Sequence, residues 1–182
     1  MKIVVIGRGN VGGGLARFWR EAGHEVVEIG REGGDAAGAD AALLAVPSGA
    51  IAGALGSVSG LEGVPVIDAT NVAGGERPAG FGSLAEYVKS LTGGPVSKAF
   101  NTNFAALYDR LGAAGGRASM VYAADEEARE VTERLISDAG YEPVSAGDLG
   151  SARAVEDFLA VIFAVSKTGG RFVYRFAPPE SL

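Results

Sequence analysis

The sequence contains no cysteine and a single histidine, His24, among its 182 residues. Without cysteine the chain has no disulfides, thiolate nucleophiles, iron–sulfur clusters or zinc–thiolate sites, and one histidine excludes a histidine-based metal cluster or catalytic triad. No apolar run reaches the ~20 residues that span a bilayer, and Met1 and Lys2 lead directly into an apolar segment, so we expect no signal peptide. The net charge of −6 disfavours nucleic acid as a partner. We therefore expect a cytoplasmic protein with no metal site and with neither a membrane nor a nucleic-acid partner.

Glycine is abundant instead, and the first 16 residues use it in a diagnostic order. An apolar run over residues 3–6 stops at Gly7, and Gly7-x-Gly9-x-x-Gly12 leads into an amphipathic helix. This order is typical of a dinucleotide site, in which Gly7 permits a tight turn, Gly9 lets a pyrophosphate approach and Gly12 lets the helix pack on the strand. The free N–H groups and the positive end of the helix dipole then face the phosphates. A purely structural glycine turn is the alternative. The predicted cofactor-binding residues of this segment are Gly7, Arg8, Gly9, Asn10, Val11 and Gly12.

Strands and helices are predicted to alternate along the chain, with no linker and no internal repeat. Alternation of this kind predicts an α/β fold, here a Rossmann-type doubly wound and mostly parallel sheet. We expect one domain over residues 1–182, with a nucleotide-binding core over 1–95 and a C-terminal α/β extension over 96–182. The predicted strands cover residues 3–6, 26–29, 41–46, 64–67, 95–100, 118–123 and 141–145. The predicted helices cover residues 11–22, 51–58, 83–91, 125–140 and 151–167, with Ser83-x-x-Glu86 as a capping box and Asp125 and Ser151 as N-caps.

The segment over residues 31–40 is too short and too rich in glycine for a helix followed by a strand. A buried strand nevertheless follows it, so we expect the sheet to be shortened at the edge after the second strand.

The last helix is apolar nearly all round over residues 158–165. Such a helix is buried on more than one side, either in the core against the sheet or in the interface of a homodimer. The tail over residues 171–176 alternates polar and apolar residues, as an added edge strand or a docked arm does.

The tip of the second strand distinguishes NAD from NADP. It reads Glu28-Ile29-Gly30-Arg31, so Gly30 stands where NAD enzymes carry the acidic residue that binds the ribose 2′-OH. A guanidinium such as that of Arg31 binds a 2′-phosphate with two parallel hydrogen bonds. We therefore expect NADP(H) to be held here by Gly30 and Arg31. Two alternatives remain: Glu28 is the ribose ligand if the strand ends one turn earlier, or Arg31 is only a surface charge.

Four segments together resemble the NADP oxidoreductases that use coenzyme F420, and the same core is similar to the NADPH-binding reductase domain of the six-transmembrane ferric reductases. The segments are Gly7-x-Gly9-Asn10-x-Gly12-x-Gly14-Leu15-Ala16, Gly30-Arg31, Ala45-Val46-Pro47 and Lys98-Ala99-Phe100-Asn101-Thr102. The resemblance implies hydride transfer between NADP(H) and a deazaflavin (coenzyme F420) or a flavin such as FMN or FAD. It places Val46, Pro47 and Ser48 beside the nicotinamide ribose. It also implies that Asn101, Thr102 and Asn103 line the face where the second ring system, the substrate, stacks.

No catalytic side chain is predicted. An alcohol dehydrogenase needs a general acid or base near the nicotinamide, whereas transfer between two stacked rings needs mainly alignment, since the cofactors carry the chemistry. Lys98 is the best candidate base, with a strand-end salt bridge or a core lysine bound to carbonyls as alternatives. Two other functions stay open: a non-enzymatic NADP(H) sensor or partner protein, and a small-substrate dehydrogenase or imine reductase completed by dimerisation through the last helix.

Overall fold

A computed structural model describes residues 1–72, 77–111 and 116–179 of the chain. Nine strands and five α-helices lie within these ranges. The strands are β1 (Lys2–Ile6), β2 (Glu25–Ile29), β3 (Gly34–Asp35), β4 (Ala41–Leu44), β5 (Val58–Ser59), β6 (Val66–Asp68), β7 (Val96–Lys98), β8 (Ser119–Ala124) and β9 (Glu142–Ser145). The helices are α1 (Asn10–Glu21), α2 (Ile51–Gly56), α3 (Leu84–Thr92), α4 (Glu126–Asp138) and α5 (Ala152–Gly169).

Seven strands form one sheet in the order β2-β1-β4-β6-β7-β8-β9. All neighbouring strands are parallel except β7 and β8, which are antiparallel. The chain reverses its direction of winding between β1 and β4, and ligands of such sheets bind at that crossing, outside the carboxyl ends of the strands. The predicted Rossmann-type, mostly parallel α/β fold is confirmed.

The edge of the sheet beyond β2 is short, as predicted. β2 is itself the outermost strand, and the following residues form only β3, which pairs with β5 in a separate two-stranded ribbon. The ribbon corrects one prediction, because Val58 belongs to β5 and not to helix α2, which ends at Gly56. The apolar spacing that predicted a helix through Val58 continues past the end of α2.

The core lies on both faces of the sheet. On one face α1 buries Leu15, Ala16 and Trp19 completely. The Trp19 indole N–H donates to the carbonyl of Leu135 at 2.9 Å, and its ring meets Phe100 edge-on with 5.8 Å between ring centroids. Trp19 therefore joins α1 to α4 and to the segment after β7. Its burial confirms that the aromatic residues of α1 serve packing.

The helix caps follow the sequence only in part. The Ser83 hydroxyl accepts from the Glu86 backbone N–H at 3.1 Å, which confirms the predicted start of α3. Asp125 precedes α4, but its carboxylate makes no capping bond. It instead accepts from Lys89 Nζ at 2.6 Å and from the Val96 N–H at 2.9 Å, so Asp125 is the N-cap residue as predicted but makes no side-chain capping bond. Ser151 is likewise the N-cap residue of α5, and its side chain makes no capping hydrogen bond.

The last helix is not buried on more than one side within this chain. Its second half buries Ile162, while Val161, Phe163 and Val165 are 53%, 50% and 46% exposed. Of the two predicted alternatives, burial of more than one side within the core is therefore wrong, because one face of α5 has no covering element among the described residues; the homodimer interface stays a prediction.

The tail after α5 is a docked arm, one of its two predicted forms. The carbonyl of Tyr174 accepts from the Ser119 N–H at 2.8 Å, beside the start of β8. The rings of Phe158, Tyr174 and Phe176 pack together at centroid distances of 5.4 to 6.1 Å. The arm is thereby fixed between β8 and α5.

Candidate functional site

The glycine loop, residues 7–12, connects β1 to α1 in a form that only glycine permits at two positions. Gly7 has a φ of +113°, and a Cβ there would overlap the carbonyl oxygen of Ala45 at the end of β4. A Cβ at Gly12 would overlap the carbonyl oxygen of Gly7. Strand β1 and helix α1 therefore approach as closely as backbone allows, which brings the start of α1 to the carboxyl edge of the sheet.

The third glycine of the loop faces open space. A Cβ at Gly9 would have no protein atom within 4 Å, so packing within the chain does not explain the residue. Gly9 is the N-cap of α1 without a side-chain cap bond, and the first turn carries no acidic residue. The first N–H groups of a helix have no intrahelical partner, so those of α1 are available to an anion. Exposed Arg8 and Asn10 flank Gly9, and Val11 is half-buried.

The tip of β2 lies beside this loop and carries an anion of its own. The Arg8 guanidinium donates to the Glu28 carbonyl at 2.9 Å and pairs with the Glu32 carboxylate at 2.5 Å. The Gly30 N–H also donates to Glu32, at 3.3 Å. Hydrogen bonds from its own backbone N–H and from Gly30, together with Arg8, hold the pKa of Glu32 below its usual range. The chain after β2 thus folds its own carboxylate onto the tip.

The other charges near this tip bear on the choice between NAD and NADP. β2 ends at Ile29, so Gly30 occupies the tip as predicted. Glu28 lies within the strand and pairs with Arg20 of α1 at 2.8 Å, which disfavours Glu28 as a ribose ligand. Arg31 is exposed and makes no ion pair within the described ranges. Its guanidinium is accordingly available beside Gly30.

The residues predicted to border the nicotinamide ribose follow β4 at the same edge. Val46 and Ser48 are half-buried and Pro47 is exposed. Pro47 begins the short 3₁₀ helix Ser48–Ala50. These residues lie across the glycine loop from the tip of β2, because β1 pairs with β2 on one side and with β4 on the other.

Further along the edge, the ends of β6 and β7 carry a buried ionic cluster of Asp68, Lys98, Glu156 and Arg77, called here the Lys98 cluster. Lys98 and Asp68 are fully buried, and Lys98 Nζ donates to Asp68 at 2.8 Å and to the Thr70 carbonyl at 2.6 Å. The third neighbour of Nζ is the Glu156 carboxylate at 3.3 Å. Nζ therefore makes two hydrogen bonds and one further ion pair. Lys98 therefore forms both the strand-end salt bridge and the bond to a backbone carbonyl that were the two structural alternatives. This geometry disfavours a role as base.

Glu156 connects this cluster to the surface. One carboxylate oxygen accepts from the Leu84 N–H at 2.7 Å, at the start of α3, and the other accepts from Arg77 Nε at 3.0 Å. Arg77 also pairs with Asp157 at 2.8 Å. A cavity of about 280 Å³ lies against these groups and has apolar walls from Val72, Leu159, Ala160 and Phe163. Among the described residues, no group of histidine, aspartate and glutamate side chains is arranged to hold a metal ion.

The three residues predicted to face the substrate lie just after β7, and their side chains make internal contacts. Asn101 Nδ2 donates to Asn71 Oδ1 and to the Val155 carbonyl, both at 3.3 Å. The Thr102 hydroxyl lies 2.6 Å from that of Tyr174 in the arm. Asn103 donates to the Ser119 carbonyl at 3.0 Å. The structure brings the three together but covers Thr102 and Asn103 with the arm. Their contact with a substrate stays a prediction.

Two contributors to this region were not predicted. Phe100 has a φ of +61°, an unfavourable conformation for a bulky residue, and it turns the chain between Lys98 and Asn101. Tyr174 reaches Thr102 from 72 residues away, and burial raises its pKa. The alternating pattern of the tail predicted a docked arm and is the only signal that pointed to Tyr174.

No protein-family model matches the sequence, and a comparison with curated proteins finds no match. Solved structures do match. A candidate F420-dependent NADP reductase of Arthrobacter sp. FB24 has 24% identity and a TM-score of 0.79, with 98% of this chain and 100% of that chain covered. A protein of Sinorhizobium meliloti described as hypothetical has 25% identity and a TM-score of 0.71, with 97% and 94% covered. The resemblance found in the motifs is therefore matched in the fold over nearly the whole chain.

Longer proteins share the same core. A reductive aminase of Aspergillus terreus in complex with NADPH and ethyl levulinate has 15% identity and a TM-score of 0.68. The match covers 91% of this chain but 62% of the aminase. The Rossmann-type fold of the present chain is shared by the Arthrobacter, Sinorhizobium and Aspergillus proteins, and the aminase extends beyond it. No described helix of the present chain is both long and apolar enough to cross a membrane.

Proposed function

We propose that this protein is an NADP(H)-dependent oxidoreductase of the cytoplasm that transfers a hydride between the nicotinamide and a deazaflavin (coenzyme F420) or flavin acceptor. The observation that carries the proposal is the glycine loop. Its three glycines permit the turn, the approach and the packing that a pyrophosphate site requires. The fold shared with the candidate F420-dependent NADP reductase supports it.

The residues present fit such a cofactor. Open space at Gly9 admits phosphate oxygens, and the free N–H groups of α1 donate to them. Arg31 and Arg8 at the tip of β2 suit a 2′-phosphate. Val46, Pro47 and Ser48 border the ribose next to the nicotinamide. When bound, NADP(H) supplies or accepts the hydride.

The acceptor is inferred from what the protein side chains can do. The cationic candidate for a base, Lys98, makes two hydrogen bonds and an ion pair with Glu156 and has no exposed surface. Proton transfer by this side chain would first break its buried contacts. A ring acceptor avoids this requirement, because it takes a hydride at one atom and a proton from water at another. The chain then needs only to align the two rings.

A second candidate is a small-substrate reductase, such as an imine reductase, completed by a second copy of the chain. Two observations favour it. The reductive aminase covers this chain but is longer, and the exposed face of α5 adjoins the cavity through Phe163. In this function a second copy would close the cavity and supply the missing walls.

The test is an acceptor screen with NADPH, in which bleaching of the visible band of F420, FMN or FAD is followed. Turnover with at least one of them is expected, with a rate that depends little on pH. Binding of NADPH without bleaching of any acceptor would contradict the proposal and favour a sensor. Turnover of a cyclic imine with a clear ionisation in the rate would favour the second candidate.

We also propose that the exposed face of α5 binds a second copy of the chain. The face is apolar over Val161, Phe163 and Val165, and exposed Val173 and Phe176 of the arm extend it. Sedimentation velocity should give a dimer for the wild type and a monomer for Phe163→Glu. Leu91→Glu, at another exposed apolar residue on α3, is the control and should stay dimeric. A monomeric wild type would contradict the dimer but not the oxidoreductase.

A further inference from the structure

The shortened edge of the sheet places a carboxylate where the proposed cofactor carries its extra phosphate. After Gly30 the chain turns within four residues, and the Gly33 N–H donates to the Gly30 carbonyl at 3.3 Å. The next residue is held to β5, where the Gly34 N–H donates to the Ser57 carbonyl at 3.1 Å. This short turn brings the Glu32 side chain back onto the tip of β2. A full helix at the edge would carry the chain away instead.

The receiving site is built for an anion. The Glu32 carboxylate lies on the N–H of Gly30 and on the Arg8 guanidinium, at 3.3 and 2.5 Å. A Cβ at Gly30 would stand 2.5 Å from the Glu32 oxygen and 2.9 Å from Arg8, the ends of two flexible side chains, so a larger residue here would push this contact aside. A backbone N–H and a guanidinium therefore converge on a single carboxylate.

The other charges around the tip do not compete for this place. Glu28 is engaged with Arg20 at 2.8 Å, and Arg31 makes no ion pair within the described ranges. Both partners of the Arg8–Glu32 pair are more than half exposed, at 52% and 57%. An exposed pair of this kind is weak, and a ligand can displace it.

We propose that Glu32 is an internal competitor of the 2′-phosphate, which it mimics on Arg8 and Gly30 until a 2′-phosphorylated nucleotide displaces it. This inference rests on the proposed NADP(H) function. A phosphate carries a charge of about −1.5 to −2 and three acceptor oxygens, so it outcompetes one carboxylate and also engages Arg31. Nucleotides without the 2′-phosphate leave the Arg8–Glu32 pair in place. Glu32 thus sets the affinity for NADP(H) and not that for NAD(H).

The test compares adenosine 2′,5′-bisphosphate with 5′-AMP, and NADP⁺ with NAD⁺, by calorimetric titration. Glu32→Gln removes the competing charge and should tighten binding of the two 2′-phosphorylated ligands about two- to fivefold, the scale of an exposed ion pair. Binding of 5′-AMP and NAD⁺ should change less than about twofold on the same scale. Arg8→Ala should weaken the 2′-phosphorylated ligands and abolish the gain in the double variant.

Glu25→Gln is the matched control. It removes the same charge at the opposite, exposed end of β2, and it should leave all four affinities unchanged. Weaker NAD⁺ and 5′-AMP binding by Glu32→Gln would make Glu32 a ribose ligand and overturn the inference. An affinity for NADP⁺ that is unchanged in Glu32→Gln would also overturn the inference, and the proposed function would stand. Failure of the wild type to bind any of the four ligands would instead overturn the proposed function.

Discussion

The glycine loop and the Lys98 cluster lie along the same edge of the sheet, yet their polar groups differ in exposure and in hydrogen bonding. Among the described residues, the first N–H groups of α1 have no side-chain cap, and Gly9 faces open space. In the cluster, Lys98 is buried and holds its hydrogen bonds to Asp68 and Thr70 and its ion pair with Glu156. A charged residue at a strand end is therefore no sign of catalysis by itself. We expect the ligand to bind at the loop, because its backbone donors face open space.

Removing Lys98 gives the largest expected effect and tests whether the cluster is structural. Lys98→Ala leaves Asp68 buried without its cation and Glu156 with Arg77 alone, so the free energy of unfolding should fall by about 3–5 kcal/mol. Urea unfolding measures this loss. Lys89→Ala, which breaks an exposed pair with Asp125, is the control and should cost less than about 1 kcal/mol. A stable but inactive Lys98→Ala protein would indicate a catalytic role for Lys98 and would contradict the contrast between the glycine loop and the Lys98 cluster.

Two glycines of the loop separate packing from binding. Gly12→Ala inserts a methyl group against the Gly7 carbonyl, so stability should fall by about 1–3 kcal/mol. Gly9→Ala faces open space and should cost less than about 1 kcal/mol, while NADPH affinity falls at least about tenfold because the methyl group meets the pyrophosphate. Thermal unfolding with and without NADPH distinguishes the two. Equal loss of stability in both variants would show that Gly9 is also a packing residue.

Substitution of Arg31 tests whether the tip of β2 binds the 2′-phosphate. Arg31→Ala removes a charge-assisted hydrogen bond, so NADPH binding should weaken about tenfold. NADH binding should change less than about twofold. Fluorescence titration with each nucleotide provides both constants. Equal loss for the two nucleotides would contradict the assignment of NADP.

Two buried tyrosines extend the comparison to alkaline pH. Burial raises the pKa of Tyr108, which packs against Gly14 of α1, and also that of Tyr174 in the arm. Above pH ~10 these groups keep their protons in the folded protein and lose them in the unfolded chain. Stability is therefore intact below pH ~10 and falls above it, by up to about 1.4 kcal/mol per pH unit for each tyrosine.

The two tyrosines should not contribute equally to this alkaline slope. Burial alone acts on Tyr108, whereas hydrogen bonds to Tyr174, that with Thr102 foremost, act in the opposite direction. Tyr108→Phe should therefore flatten the fall in stability between pH 10 and 11 more than Tyr174→Phe does. Urea unfolding at a series of pH values measures both slopes. Equal flattening would mean that the Thr102 contact opens at high pH.

The sequence predicted the glycine loop well because its requirements are local. The tight turn, the approach of a pyrophosphate and the packing of the helix on the strand each need a position without a side chain. Gly7, Gly9 and Gly12 provide these positions at the required spacing. The short edge after β2 was predicted for the same reason, since too few residues connect two evident strands. In both cases the number and type of neighbouring residues decide the structure.

The Lys98 cluster was beyond sequence reasoning because its partners are far apart in the chain. Glu156 lies 58 positions from Lys98 in the sequence, and only the packing of α5 beside β7 brings them together. Asp125 is the N-cap residue of α4 but makes no side-chain capping bond for a related reason: Lys89 and the Val96 N–H, both distant in sequence, bind its carboxylate. The fold-back of Glu32 depends on a turn that the ribbon of β3 and β5 holds.

The position of Trp19 makes the protein its own optical probe. It is the single tryptophan in the sequence. It lies in the helix that follows the glycine loop, and its indole is fixed between the Leu135 carbonyl of α4 and the ring of Phe100. Its emission overlaps the absorption of reduced nicotinamide, so excitation energy passes to a bound NADPH and the fluorescence decreases. Occupancy of the loop is thus readable without a label, and a rearrangement of Phe100 would alter the same signal in the absence of nucleotide.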